Sequence, residues 1–238
     1  MHTGHVRRLL TTALFLGLLA VLSAGVIVEP SSRDTVGTHP MPQAADPSAR
    51  WRSLRVAIVG DSLSAGRSRF LGNGLDDETW MTYAVGDGIE FVGGWARSGA
   101  TPDEMANAVR PIADVDVLVI LAGTNAVRIG KNVADEAASY EQIVEVIQPE
   151  HVMVSSIPPY DAHGSAALTY NEDLHEFTTR KRWSWIDPWD AARDGLGWTQ
   201  GFSTDGIHPA GPRQYAVLGG SFRKRIIEAS RLPRGLDV

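Results

Sequence analysis

The sequence predicts an α/β fold in which a parallel sheet is covered by helices on both faces. Three observations carry that reading: apolar runs that lead straight into glycine, segments with a three-to-four-residue apolar period, and the alternation of the two along the chain. Arg55–Val59 runs into Gly60, and Val115–Leu121 runs into Ala122-Gly123. A strand that is apolar on successive residues is one buried on both faces. Ile89–Val92, His151–Val154 and Trp183–Ile186 are shorter candidates, each followed by Gly, Ser, Pro or Asp, which makes five strands in all.

The helices fall between these runs. Thr101-Pro102-Asp103-Glu104 has the order of a helix start, with Thr at the N-cap, Pro at the first position and Glu at the third. Val133, Ala137, Tyr140, Val144 and Ile147 share one helical face, as do Ala167, Tyr170, Leu174 and Phe177. Pro212 opens a last helix with Tyr215, Gly219, Phe222 and Ile226 on one side. The sequence contains no internal repeat.

With 238 residues, 43% of them apolar and 21% charged, the chain can bury the core of one domain and still carry an appendage. A net charge of −6 leaves no basic footprint, so no nucleic acid partner is expected. The absence of cysteine excludes disulfides, thiol chemistry and cysteine-bound metal. Arg7 and Arg8 precede a stretch without charge from Leu9 to Val28. Residues 1–28 are therefore expected to be a signal peptide, with Ser23-Ala24-Gly25 as a cleavage site, or an uncleaved anchor in the membrane. Either assignment makes the rest extracytoplasmic, secreted or membrane-anchored. Residues 29–50, with Pro30, Pro40, Pro42 and Pro47, read as a linker, and 51–238 as the folded domain.

Three strings carry the chemistry: Gly60-Asp61-Ser62-Leu63-Ser64, Gly123-Thr124-Asn125 and Asp205-Gly206-Ile207-His208-Pro209. A serine hydroxyl attacks well only if an imidazole takes its proton, and the imidazole needs a carboxylate to set its tautomer. In a parallel sheet such groups gather at the carboxyl ends of the strands, and the first two strings each follow a strand directly. Taken alone, Ser62 reads first as an N-cap, a reading that the distant Asp205–His208 string reverses; Asn125 could cap the helix after it, and Asp205 could make an Asx turn with Gly206.

Together the strings resemble those of the SGNH, or GDSL-type, serine hydrolases over about Arg55 to Glu228. The resemblance implies a three-layer α/β/α sandwich on a flavodoxin-like five-stranded parallel sheet. It also implies an esterase that works without metal or cofactor. Ser62 would be the nucleophile, His208 the general base and then acid, and Asp205 its orienting carboxylate. The oxyanion hole would comprise the N–H of Ser62, the N–H of Gly99, with Gly94 as a rival, and the side-chain amide of Asn125. One position departs from the family pattern: Ala126 follows Asn125 where Asp is usual, which removes a hydrogen-bonding partner from the site.

Asp61 reads as a turn or support residue, Ser64 as a cap or turn residue, and His39, His151, His163 and His175 as structural. Trp183 and Trp185 are expected in the core, whereas Trp95, Trp198 and Phe202, nearer the strings in sequence, are expected to contact substrate. No long lid-like insertion is present, which favours short, acetyl-type acyl groups over long chains. The expected partner is a small-molecule or carbohydrate ester, the latter in keeping with a cell-envelope location. The same triad would serve an acyltransferase, and a non-catalytic carbohydrate-binding domain on this fold is the alternative from another class. The sequence carries no signal for oligomeric state.

Overall fold

The computed structural model describes residues 52–231. Residues 1–28, expected to be a signal or anchor, and 29–50, expected to be a linker, lie outside the described residues, as do Trp51 and the last seven residues of the chain.

Five parallel strands form the sheet: β1 (Leu54–Gly60), β2 (Ile89–Ala96), β3 (Val117–Leu121), β4 (His151–Ser155) and β5 (Ser184–Ile186). They lie in the order β2-β1-β3-β4-β5. The chain adds β2 on one side of β1 and all later strands on the other. Loops after β1 and β3 therefore leave the sheet at the point where the winding reverses, and the crevice between them is where open α/β sheets bind ligands.

Side-chain alternation divides the core into two layers. Ala57, Val59, Leu118, Ile120 and Val154 face one side. There they meet Met105 of α3 (Pro102–Ala108), Tyr140 and Ile143 of α5 (Val133–Ile147), and Leu174 and Phe177 of α6 (Gly164–Lys181). Val56, Ile58, Val117, Val119 and Met153 face the other side. They are covered by Trp80 and Met81 of α2 (Trp80–Ala84) and by Leu218, Phe222 and Ile226 of α7 (Pro212–Ser230). Trp80 and Phe222 stack with centroids 3.9 Å apart and lock α2 onto α7. Each fully buried aliphatic or Phe side chain stabilises the fold by about 1.5–3 kcal/mol, so the two layers supply the main driving force.

All five predicted strands and the predicted helices are present; strand ends shift by one residue in β1, β4 and β5, and two strands differ by more. The Val115 run is strand only from Val117; just before it the Asp116 N–H donates to the Arg55 carbonyl at 2.9 Å and its carbonyl accepts the His151 N–H at 2.9 Å, while its carboxylate accepts the Arg55 N–H at 2.7 Å and pairs with Arg52. β2 continues past Val92 through Gly93, Gly94 and Trp95 to Ala96, across a register shift opposite Val56 and Ala57. At Gly94, where φ is +156°, a Cβ would fall 2.0 Å from the Ile58 carbonyl oxygen, so only glycine lets β2 lie this close to β1. At the start of α3 the Glu104 carboxylate accepts the Thr101 N–H at 3.1 Å, as the capping order predicted. A short antiparallel hairpin, β6 (Arg193–Asp194) with β7 (Gly197–Trp198), precedes the Asp205–His208 loop.

Candidate active site

Ser62 begins the four-residue helix α1 (Ser62–Ala65), separated from the end of β1 by Asp61 alone. Asp61 is its N-cap, and the Asp61 carboxylate accepts the Leu63 N–H at 3.1 Å. That carboxylate is fully buried, and burial pushes it from its ordinary 3.8 up to about 6, although the Leu63 N–H and the positive charge of His208 pull the other way. Ser64 is neither a cap nor a turn residue. It lies inside α1, fully buried, and its hydroxyl oxygen accepts the Trp80 indole N–H at 2.9 Å, which ties α1 to α2.

The loop from Ser203 to Pro209 brings its side chains back to Ser62. With its ring proton on Nδ1, His208 donates to Asp205 Oδ2 at 2.7 Å and accepts the Ser62 hydroxyl at Nε2 at 2.8 Å. The second Asp205 oxygen accepts the backbone N–H groups of Ile207 at 2.9 Å and His208 at 2.8 Å. Asp205 thus makes the Asx turn and holds the imidazole at once, one oxygen for each task. Its partial burial favours the neutral acid, but the hydrogen bonds from the His208 ring and from the two backbone N–H groups outweigh it and hold the carboxyl at about 2. This chain of hydrogen bonds can pass the Ser62 proton to an imidazole whose other face stays against an ionised carboxylate.

The groups expected to form the oxyanion hole differ in their surroundings. Gly99 is exposed at φ +81° with nothing within 4 Å of a would-be Cβ, so a ligand can approach its backbone; Gly94, by contrast, is enclosed by β1. Asn125 lies in α4 (Thr124–Arg128), whose N-cap is Gly123, so its amide is not used as a cap. It is largely buried, donates through Nδ2 to the Ala100 carbonyl at 3.1 Å and reaches Asp61 Oδ2 at 3.5 Å. Its Oδ1 accepts from Arg128 Nε at 3.3 Å. Ala126 is fully buried in the apolar layer on the α3, α5 and α6 side, so the position that usually carries Asp adds no polar contact to Asn125 here.

The remaining candidates have other neighbours. Trp95, half-buried, contacts the edge of Phe70 and lies under the Arg97 guanidinium, 5.6 Å from its centroid. Trp198 and Phe202 stack on each other at 5.9 Å and pack on the α2 and α7 layer, with the fully buried Trp189 against Trp198. The Phe202 carbonyl accepts the Ala210 N–H at 2.8 Å, so this pair braces the base of the His208 loop. Trp183 and Trp185 pack on the α6 side, Trp185 stacking on His175 at 5.1 Å. His163 contacts the Tyr160 ring, and His151 opens β4. Among the described residues no group of three or more His, Asp or Glu could hold a metal ion.

Two contributors to the site went unassigned in the sequence. The contact of Asp61 with Asn125 joins residues 64 positions apart and left no local signal. The Arg128 contact was within reach, because positions three apart on a helix face each other.

A serine, histidine and aspartate linked in this order on a doubly covered parallel sheet define a serine hydrolase. The model of the GDSL-like lipase/acylhydrolase family matches residues 58–211, well over half of the chain, and the chain belongs to that family, serine hydrolases that act on esters. Solved structures agree in fold. A member of the lipolytic protein G-D-S-L family from Veillonella parvula is 17% identical, with TM-score 0.55, over 76% of this chain and 100% of that one. A carbohydrate esterase family 3 protein from Talaromyces cellulolyticus is 17% identical, with TM-score 0.54, over 75% and 98%. A GDSL-like lipase from Bacteroides thetaiotaomicron is 18% identical, with TM-score 0.54, over 78% and 92%. The comparison with curated proteins returns no match.

Proposed function

We propose that this hydrolase cleaves short-chain, acetyl-type oxygen esters through an acyl-enzyme at Ser62. The observation that carries the reading is the pair of contacts to His208, 2.8 Å from Nε2 to Ser62 Oγ and 2.7 Å from Nδ1 to Asp205 Oδ2. Ser62 Oγ attacks the acyl carbon while its proton moves to His208 Nε2, and the carbonyl oxygen becomes an oxyanion. Asp205, ionised at about 2, stabilises the imidazolium and holds its ring. The N–H groups of Ser62 and Gly99 and the amide of Asn125 receive the oxyanion. The C–O bond to the alcohol breaks as Nε2 returns its proton to the leaving oxygen. Water then attacks the acyl carbon as its proton moves to Nε2, the bond from the acyl carbon to Ser62 Oγ breaks as Nε2 returns that proton to Oγ, and a carboxylic acid leaves.

Trp95, Trp198 and Phe202 are the proposed walls for the substrate, being partly exposed on segments that lead into the Gly99 and His208 loops. An ester carried on a carbohydrate is favoured as substrate by these aromatic faces and by the likeness to a protein described as a carbohydrate esterase. The uncharged run from Leu9 to Val28 supports an extracytoplasmic site of action, on or near the cell envelope.

The test is hydrolysis of acetyl, butyryl and octanoyl nitrophenyl esters by the full chain and by Ser62→Ala, with mass spectrometry of the protein quenched during turnover. Rates should fall from acetyl to octanoyl, the variant should lose activity, and an acyl adduct should map to Ser62. A variant as active as the parent ends the serine mechanism, and a preference for octanoyl ends the short-acyl assignment.

A further inference from the structure

Asn125 carries the only side-chain donor in the proposed oxyanion hole, and a side-chain amide works there only if it presents nitrogen and not oxygen. The residue that usually follows this Asn is Asp, and here it is Ala126, buried and apolar. Something else must set the amide. Its two fixed neighbours each admit one kind of partner. The Ala100 carbonyl, 3.1 Å from Nδ2, can only accept, and Arg128 Nε, 3.3 Å from Oδ1, can only donate. A flipped amide would set oxygen against oxygen at Ala100 and N–H against N–H at Arg128. One Nδ2 hydrogen is committed to Ala100, and the other meets only the 3.5 Å contact to Asp61, so it is the one available to an incoming oxyanion.

We infer that Arg128 is a positioning residue for the oxyanion hole, holding Asn125 by its oxygen so that its nitrogen faces the reacting ester. The inference rests on the proposed role of Asn125. Arg128 lies three residues along the same short helix, so the grip needs no distant element to be in register. A guanidinium is cationic, which makes the bond to Oδ1 charge-assisted and draws electron density away from the N–H that would donate. Arg128 is exposed, so replacing it removes the grip without opening the core.

The experiment is a double-mutant cycle in the full chain with a neutral ester, acetyl nitrophenyl ester, using Arg128→Ala, Asn125→Ala and the pair, with thermal melting as a check on folding. Losing an oxyanion donor costs about 10²–10³ in kcat, and loosening one without removing it is expected to cost about tenfold. Arg128→Ala should therefore lower kcat about tenfold with KM nearly unchanged. Adding Arg128→Ala to Asn125→Ala should cost nothing more, because there is no amide left to hold. Millimolar guanidinium should restore part of the kcat of Arg128→Ala and none of that of the double variant. Three results each overturn the inference: an Arg128→Ala variant as active as the parent, a loss of equal size in both backgrounds, or a loss confined to KM, which would make Arg128 a substrate contact. If Asn125→Ala itself keeps full kcat, the fault lies in the proposed oxyanion hole, and the inference falls with it.

Discussion

Replacing Asp61 by Asn should stabilise the protein at neutral pH and hardly at all in acid. The Asp61 carboxylate is fully buried and its ionisation is displaced from 3.8 to about 6. The folded state therefore prefers the neutral acid more strongly than the unfolded chain does. Its relative stabilisation is complete below about pH 4 and is lost as pH rises through about 6. A displacement of this size corresponds to about 3 kcal/mol. Asn is neutral throughout and avoids that cost, while its Oδ1 can still cap α1 through the Leu63 N–H. Urea unfolding of both proteins at intervals from about pH 3 to about pH 8 should show the stability difference moving in favour of Asp61→Asn by up to about 3 kcal/mol, the change building between about pH 4 and about pH 6 and levelling off above it. Comparison of variant with parent cancels Asp205 and the other carboxylates held below their usual range, whose stabilisation runs in the opposite direction with pH. A difference that is flat with pH, or that turns against Asn as pH rises, would refute the assignment of a costly buried charge at Asp61.

Three further outcomes follow from particular contacts. Gly99→Ala should fold, since nothing lies near its Cβ and φ of +81° costs only about 1–2 kcal/mol, yet lose most of its activity; Gly94→Ala should fail at folding, because its Cβ meets the Ile58 carbonyl. Comparing melting temperature with kcat for the two separates these roles. Ser64→Ala leaves the buried Trp80 N–H without its acceptor and should cost about 1–3 kcal/mol by urea unfolding. Asp205→Asn removes the charge opposite the imidazolium and can invert the His208 tautomer, so kcat should fall by about 10²–10⁴ with little change in melting temperature, Asp205 being exposed.

What could be read from the sequence was what is local. A strand buried on both faces must be apolar on successive residues, so Val56–Val59 and Val117–Leu121 declared themselves. The Asp205–His208 pair was equally legible, because three residues on a compact turn suffice for one side chain to reach the other. β2 was read too short because Gly93-Gly94 has the composition of a turn; only the nearness of the Ile58 carbonyl explains glycine inside that strand. Ser64 was misjudged for a similar reason. A serine beside a turn reads as a cap, and its true partner, the Trp80 indole, is 16 residues away on another helix.

The two aspartates of the site show where this limit lies. Asp61 and Asp205 are the same residue type, each beside a member of the Ser62–His208 pair, and nothing in their immediate sequence separates their ionisation. The fold sets them apart. Asp205 stands on an exposed loop whose backbone N–H groups and imidazole all donate to it, so it stays charged far into acid. Asp61 lies fully buried at the start of α1, where it receives one clear N–H bond. Its negative charge is costly at rest but lies near the imidazole that, in the proposed mechanism, becomes cationic as Ser62 gives up its proton. A charge that opposes folding while the histidine is neutral, and is partly offset when the histidine is protonated, favours the transition state over the ground state. On this account the cost at Asp61 is the stability side of a trade with rate.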